Sequence, residues 1–160
     1  MSDTEKMIQP NMQEFSPFIC EILKNGGSAR LTVTGNSMWP MLKDGIDSVL
    51  IEPANRMVKR WELPLYQRDD GSLVLHRVMK KKKDAYAMCG DNQVIVEWPV
   101  RAEQIIGIAV EFTRKGKTTK CNNILYKIYA AMWSILRPCR LFMLRLYRKI
   151  IITKRWFSKR

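Results

Sequence analysis

The sequence predicts a mainly β protein with a short helix before the β region and a basic helical tail after it. Residues 28 to 114 contain six stretches with the alternating apolar and β-branched composition of strands. These stretches are 29 to 34, 47 to 52, 63 to 68, 72 to 80, 85 to 89 and 105 to 113. The flanking chain has helical apolar spacing instead, so we divide the protein into three parts. They are an N-terminal helical segment at 1 to 27, a β domain at 28 to 116 and a tail at 117 to 160.

The N-terminal segment is predicted to form one amphipathic helix within residues 10 to 25. Its apolar side chains follow helical spacing between Phe15 and Leu23, Pro17 suits a first turn, and Gly26-Gly27 ends the helix. About 20 apolar residues are needed to cross a bilayer, and this helix is much shorter. No basic stretch followed by an apolar run precedes it, so we expect no signal peptide.

The charge of the chain is concentrated in the tail. Residues 1 to 113 hold 14 basic and 15 acidic residues, a net charge of −1. Residues 114 to 160 hold the other 14 basic residues and no acidic one, which gives the total of +13. The basic character therefore belongs to the tail and not to the β domain.

The composition gives no indication of a metal or cofactor. Four cysteines, at positions 20, 89, 121 and 139, are far apart and form no CxxC pair. With a single histidine in the chain, they do not match a zinc site, and no Gly-rich phosphate loop or dinucleotide fingerprint is present. Scattered cysteines fit a reducing compartment better than a disulfide framework, so we expect a cytoplasmic protein without cofactor.

Ser37 is the first candidate for a catalytic residue. It follows the first predicted strand and the turn residues Gly35 and Asn36, and Pro40 after it suits the first turn of a helix. This places the Ser37 hydroxyl at a strand-to-helix corner. A nucleophilic serine also needs a base, a group that orients the base, and donors for the oxyanion. A serine at such a corner, taken alone, is more often a cap or a turn residue.

His76 and Asp91 are the other two candidates. Strand alternation puts His76 on one face with Val74 and Val78, among apolar side chains. A lone histidine in that position is more often a satisfied core residue than a base. Asp91 follows Gly90, and a carboxylate after a glycine is most simply a turn residue that bonds to its own backbone.

Together, in this order, the three candidates resemble a known family. The stretches are Gly-Asn-Ser-Met-Trp-Pro-Met-Leu at 35 to 42, Leu-His-Arg-Val at 75 to 78 and Gly-Asp-Asn at 90 to 92. They resemble the conserved boxes of the signal peptidase and LexA-repressor superfamily of serine peptidases, over roughly residues 28 to 114. Pro99-Val100 and the run from 105 to 110 resemble the strand that closes that fold.

The resemblance implies a signal peptidase/LexA-like β-fold and a role for each candidate residue. Ser37 matches the nucleophile, and His76 matches the base of the histidine branch, which is similar to the endoplasmic reticulum and archaeal signal peptidases. Asp91 matches an acidic third member that holds the imidazole. The oxyanion is expected on the backbone N–H of Ser37 and the helix start that follows. Three flanking residues are expected to line the substrate cleft or a membrane-facing edge: Met38, Trp39 and Met41.

One segment departs from the family. Relatives commonly carry Gly-Asp before an apolar strand, whereas this chain reads Lys-Arg-Trp-Glu-Leu-Pro at 59 to 64. Trp61 stands where glycine allows a tight turn, and a side chain makes a positive φ costly. Pro64 removes a ladder donor and suggests an edge strand.

The tail is predicted to form two helices. Asn122 or Asn123 caps the first, which runs through Leu136 and is apolar nearly all round. Pro138 separates it from a second helix at about 139 to 152, in which cations alternate with large aliphatic side chains. The first helix is shorter than a membrane span. We therefore expect residues 121 to 160 to lie on an anionic membrane surface, at the cytoplasmic face. The residues assigned to this contact are Trp133, Arg137, Arg140, Arg145, Arg148, Lys149 and Trp156.

Two alternatives for the tail stay open at the level of sequence. The first helix can instead dock on the β domain, as apolar helices often do. Nucleic acid is a less suitable partner, because the cations alternate with large aliphatic residues as in lipid-binding segments.

The sequence thus favours a serine endopeptidase that cleaves a peptide or protein substrate while bound to a membrane surface. One alternative is a catalytically inactive interaction protein on the same fold. Another is a self-cleaving regulator, for which Cys89-Gly90 resembles a cleavage site. The roughly 27 residues before the β domain are too few for a helix-turn-helix domain, which disfavours that second alternative.

Overall fold

The computed structural model describes residues 15–139 and Phe142, and over them the protein is mainly β. Its helices are α1 (Ser16–Lys24) and α2 (Ile124–Ile135), and short 3₁₀ turns cover Ala102–Gln104 and Arg137–Cys139. The strands are β1 (Ala29–Thr32), β2 (Ser48–Pro53), β3 (Pro64–Gln67), β4 (Leu73–Leu75), β5 (Arg77–Lys82), β6 (Ala85–Cys89), β7 (Glu97–Arg101), β8 (Ile105–Arg114) and β9 (Lys117–Lys120). Five of the six predicted strands and the helix cap at Asn123 are confirmed, and the sixth, at 72 to 80, is divided into β4 and β5. β7 and β9 lie outside the six stretches.

The larger sheet is antiparallel and is centred on β8. Its order is β1-β2-β8-β3-β4, and β9 also pairs with β8. One edge of β8 bonds to β2, and the other edge bonds first to β3 and then, past Val110, to β9. β8 contributes Ala109 and Phe112 to one core cluster and Ile108 to the other, so both of its faces are buried and its sequence is largely apolar without strict alternation.

The predicted strand at 72 to 80 is two strands that belong to different sheets. β4 pairs with β3 in the larger sheet, and β5 pairs with β6 in a second sheet of order β5-β6-β7. The break falls at His76, which is 3% exposed. The single histidine therefore lies at the junction of the two sheets.

The predicted hairpin between β3 and β4 is confirmed, but the edge position predicted for β3 is wrong. Gly71 turns with φ +83°, and the register pairs Leu65 with Leu75. Leu65 also pairs with Gly107 of β8, so β3 is an inner strand. Pro64 is tolerated because it is the first residue of β3 and pairs with β8 alone.

The core has two clusters of buried side chains. The larger lies between the main sheet, α1 and α2, and includes Leu23, Leu42 and Ile51. The smaller lies between the two sheets and is built around Tyr66, Val78, Met88, Val100 and Ile108. His76 is beside this second cluster, which accounts for its low exposure.

Residues 117–135, which the sequence assigns to the tail, continue the sheet and pack on it. β9 pairs with β8, and α2 buries Tyr126, Ala130, Trp133 and Ser134 against the domain. The open alternative, docking of the first tail helix, is therefore the arrangement found.

Two residues assigned to the membrane contact bind the β domain instead. Trp133 is 9% exposed and donates its indole N–H to the Asp91 carbonyl at 3.0 Å, so its expected place at a membrane boundary is corrected. Arg137 donates to the Val94 carbonyl at 2.8 Å. Five others lie outside the described residues: Arg140, Arg145, Arg148, Lys149 and Trp156. Within 15–139, neither helix has the length and apolar character needed to cross a membrane.

Candidate active site

Ser37 lies in a series of turns between β1 and β2. The helix expected after it is absent, because residues 37–41 are turns with one helical-type bond, from Leu42 N–H to the Met38 carbonyl at 2.9 Å. Gly35 supplies the φ of +79° that starts the turn, and its N–H donates to Asp44 at 2.9 Å. No helix N-terminus therefore contributes to an oxyanion site at Ser37.

The Gly90-Asp91-Asn92 loop fixes the backbone of the Ser37 turn. Asn92 donates its N–H to the Ser37 carbonyl at 2.8 Å and its side-chain amide to the Asn36 carbonyl at 3.0 Å. A Cβ on Gly90 would lie 2.6 Å from the Ser37 carbonyl oxygen, so only glycine allows this approach. The loop that follows β6 thus holds the backbone of the Ser37 turn in place.

Ser37 and His76 line the same cavity, which has a volume of about 210 Å³. Its walls are largely apolar and come from β1, β3, β4 and the Ser37 turn. No hydrogen bond joins Ser37 to His76 among residues 15–139, so the two groups share a cleft without forming a closed pair. Catalytic hydrogen bonds are often longer in the free enzyme than in the complex with substrate.

His76 is held from behind by Tyr66. The Tyr66 hydroxyl oxygen lies 3.0 Å from Nδ1 of His76 and 2.7 Å from a carboxylate oxygen of Glu97. An ionised carboxylate only accepts hydrogen bonds, so Tyr66 donates its one proton to Glu97. The Tyr66 oxygen then accepts from Nδ1–H, and this network assigns the tautomer in which Nε2 of His76 is unprotonated.

Arg68 completes the network by binding Glu97 with two bonds, at 2.8 and 2.6 Å. The hydrogen bond from Arg68 lowers the pKa of Glu97, which keeps the carboxylate ionised. Burial, followed by the bond to Glu97, raises the pKa of Tyr66 and keeps its hydroxyl protonated. Burial lowers the pKa of His76 to about 4, against an opposing effect of Glu97. The imidazole is therefore neutral at pH 7, as a general base requires.

The role expected for Asp91 behind the imidazole is corrected. Its carboxylate accepts two bonds from Arg77, at 2.9 and 2.7 Å, and both side chains are almost completely buried. Arg77 also donates to the Trp61 carbonyl and the Tyr126 hydroxyl. Asp91 thus links β5, through Arg77, with α2, through Trp133, whereas Tyr66 contacts Nδ1 of His76.

The three residues expected to line the substrate cleft differ in position. Met38 is 1% exposed but lines the Ser37 cavity. Met41 is buried in the core, where its sulfur lies 3.1 Å from Arg77, so its expected role in the cleft is corrected. Trp39 is half-buried and is not part of the cavity wall.

Sequence reasoning missed Tyr66, Glu97 and Arg68. A signal for two of them was present, because the predicted hairpin turn at Gly71 sets the register of β3 against β4. In that register Tyr66 is opposite Val74, which puts Tyr66 and Arg68 on the same face as Val74 and His76. Glu97 had no such signal, since it lies in β7, a strand that the periodicity did not indicate.

Trp61 adopts the glycine-like backbone that its position in the family pattern implies. Its φ is +72°, with its N–H bonded to the Val78 carbonyl at 2.8 Å. Trp61 lines a separate cavity of about 580 Å³ between the main sheet and α2, and not the cavity that holds Ser37. The departure at this segment therefore leaves the cleft around Ser37 and His76 intact.

No family model and no curated protein matches the chain. No group of potential ligands capable of holding a metal ion occurs in the part of the chain that the structure describes.

Proposed function

We propose that the protein is a serine endopeptidase of the signal peptidase-like type, with Ser37 as nucleophile and His76 as general base. One observation carries the proposal: Ser37 and His76 share a cleft, and the network behind the imidazole leaves Nε2 of His76 unprotonated. A neutral, oriented imidazole in the same cleft as an alcohol supports acyl transfer to serine. The resemblance in sequence supports the same assignment.

The reaction follows from these roles. Ser37 Oγ attacks the carbonyl carbon of the substrate while its proton passes to Nε2 of His76, which gives a tetrahedral oxyanion and an imidazolium. The imidazolium returns the proton to the amine nitrogen as the C–N bond breaks, leaving an ester on Ser37. Water then attacks the ester by the same proton route, releasing the acid and restoring Ser37. The expected oxyanion donor is the backbone N–H of Ser37.

Glu97 takes the part that the resemblance assigns to Asp91. One carboxylate oxygen of Glu97 lies 3.9 Å from Nδ1 of His76, and Tyr66 bridges the two groups. This negative charge stabilises the imidazolium when it forms. Arg68 holds the Glu97 carboxylate in place, but its positive charge opposes the effect of Glu97 on the imidazolium. The stabilisation is therefore weaker than that from an unpaired carboxylate.

The cleft favours a substrate with a small apolar side chain beside the cleaved bond. Its lining includes Leu31, Val33, Leu65 and Leu75, and its volume of about 210 Å³ accommodates one side chain of moderate size. We propose that the enzyme acts on the cytoplasmic side, where its four free cysteines remain thiols.

A mixture of synthetic peptides that contains every pair of adjacent residue types tests the proposal. The full chain is incubated with the mixture and the products are identified by mass spectrometry. Cleavage next to small apolar residues is expected, and Ser37→Ala is expected to lower it roughly 1,000-fold or more. Ser28→Ala, at an exposed serine outside the cleft, is the matched control and should cleave as the unmodified protein does. Equal cleavage by the Ser37→Ala variant would contradict the proposal.

A second candidate function is an inactive interaction protein on the same scaffold. The missing hydrogen bond between Ser37 and His76 within residues 15–139 favours it. In that case the peptide mixture remains uncleaved by the unmodified protein. Self-cleavage at Cys89-Gly90 would instead produce a fragment that ends at Cys89. The structure disfavours it, because Cys89 is buried and lies in β6, opposite Arg77 of β5 in the strand register.

A further inference from the structure

α2 has one face on the domain and a second, apolar face in solvent. The buried face contains Tyr126, Ala130, Trp133 and Ser134. The opposite face carries five large apolar side chains, each more than half exposed: Ile124, Leu125, Ile128, Met132 and Ile135. They recur at the three- and four-residue spacing of a single helix face.

This outer face has no polar residue among its exposed members. Lys127, the one charged residue of α2, lies at the side of the helix and borders the larger cavity. Single exposed apolar residues are ordinary on protein surfaces, but a continuous stripe of this kind marks a surface that another phase or molecule covers. The outer face of α2 is therefore a docking surface.

Charge identifies the occupant as an anionic membrane. The stripe lies between residues 124 and 135, within the segment 114 to 160, which contains 14 cations and no acidic residue. A second copy docked through the same face would bring two such cationic segments together, which opposes association in a symmetric contact. An anionic bilayer instead offers hydrocarbon for the stripe and negative headgroups for the cations, as amphipathic surface helices require.

We propose that the outer face of α2 inserts into the headgroup region of an anionic membrane while the inner face remains packed on the domain. This places the contact on an ordered helix of the domain itself. α2 also touches the loop that positions Ser37, since Trp133 bonds to the Asp91 carbonyl and Asn92 bonds to the Ser37 carbonyl. Because Trp133 belongs to the inner face of α2, the helix would lie between that loop and the membrane. The proposal does not depend on peptidase activity.

Flotation with vesicles tests the proposal on the full chain. Vesicles of phosphatidylcholine with phosphatidylglycerol are compared with vesicles of phosphatidylcholine alone. The double variant Ile128→Glu/Met132→Glu changes two exposed side chains, so the fold should persist, as checked by circular dichroism. The matched control is Ile46→Glu/Met57→Glu, which adds the same charge at two exposed apolar side chains in loops outside α2.

The expected result is flotation of the full chain with the anionic vesicles and weaker flotation with the neutral ones. Ile128→Glu/Met132→Glu is expected to weaken binding to anionic vesicles roughly 100-fold, because each change removes one large apolar group from the interface. The control pair should bind nearly as the unmodified chain does. The proposal is overturned if the full chain does not float, or if both double variants bind equally. It is also overturned if sedimentation shows that Ile128→Glu/Met132→Glu dissociates a dimer while vesicle binding is unchanged.

Discussion

Nδ1 of His76 lies 3.0 Å from the hydroxyl oxygen of Tyr66, and this contact determines which ring nitrogen is available for chemistry. Since Tyr66 gives its proton to Glu97, the imidazole must keep its own proton on Nδ1. Nε2 then carries the lone pair, and His76 lines the cavity that Ser37 also lines. In the proposed mechanism, Tyr66 therefore takes the orienting role that the resemblance assigns to a carboxylate.

Replacing Tyr66 with phenylalanine is expected to lower kcat by roughly 10- to 100-fold with little change in KM, because general-base catalysis depends on the correct tautomer. The Tyr66→Phe variant keeps the ring but leaves Nδ1–H of His76 without its acceptor. The measurement is steady-state cleavage of the best peptide found in the mixture. A proportional rise in KM with unchanged kcat would contradict an orienting role.

Tyr86→Phe is the matched control for this change. Tyr86 is 2% exposed and belongs to the same buried cluster between the sheets, so the two variants carry a similar packing change. Its kcat should stay close to that of the unmodified protein. An equal loss in both variants would mean that tyrosine hydroxyls in this cluster act on stability alone.

The value of kcat/KM is expected not to fall near pH 6.5, where an ordinary histidine base becomes protonated. Burial lowers the pKa of His76 to about 4, so the free enzyme keeps a neutral base throughout the range from pH 5 to 7. The rate should therefore stay level as the pH falls from 7 and decline only near pH 4. A decline centred near pH 6.5 would indicate that the active imidazole is solvated, in conflict with the closed arrangement around Tyr66.

The same shift predicts how stability changes with pH. Between about 4 and the ordinary value of 6.5, the unfolded chain binds a proton at His76 and the folded chain does not. The contribution of His76 to the free energy of unfolding is therefore complete above pH 6.5. It is lost as the pH decreases toward 4, which lowers the free energy of unfolding by on the order of 3 kcal/mol. Urea unfolding at several pH values should show a shallower fall for His76→Gln. Parallel curves would exclude this contribution of His76.

The sequence was informative where local patterns decide the structure. Alternation and turn residues located the stretches that contain seven of the nine described strands, and Asn123 marked the start of α2, because these features depend on neighbours in the chain. The sequence motifs predicted that Ser37 and His76 lie in one site, and both residues line the same cavity. Helix periodicity also allowed α2 to dock, but it could not state which apolar face would be buried.

The rest depended on contacts between distant residues. The order of the sequence motifs suggests that Asp91 pairs with His76. In the structure the Asp91 carboxylate accepts its hydrogen bonds from Arg77, the residue after His76. Strand alternation puts neighbouring residues on opposite sides, so Arg77 faces Asp91 while His76 faces Tyr66. The position of the loop after β6 decides whether Asp91 binds His76 or Arg77, and no local sequence pattern predicts that position.

Asp91→Asn is expected to destabilise the fold by about 3 to 5 kcal/mol, because it leaves the buried guanidinium of Arg77 without its counter-charge. The carboxamide keeps the size of the side chain, so the loss reports charge and hydrogen bonding and not a cavity. Urea unfolding at pH 7 is the measurement, and Asp69→Asn is the control. Asp69 pairs with Arg101 at an exposed site, where loss of an ion pair costs at most about 1 kcal/mol.

The outcome separates a structural role for Asp91 from the catalytic one that the sequence pattern implies. If Asp91 fixed the tautomer of His76, the Asp91→Asn variant would fold with nearly unchanged stability and lose kcat. The buried pair with Arg77 requires the reverse order, in which stability falls first and kcat of the protein that remains folded changes little. Single-turnover cleavage, normalised to the folded fraction, distinguishes the two. A stable and inactive Asp91→Asn variant would restore Asp91 to the catalytic site.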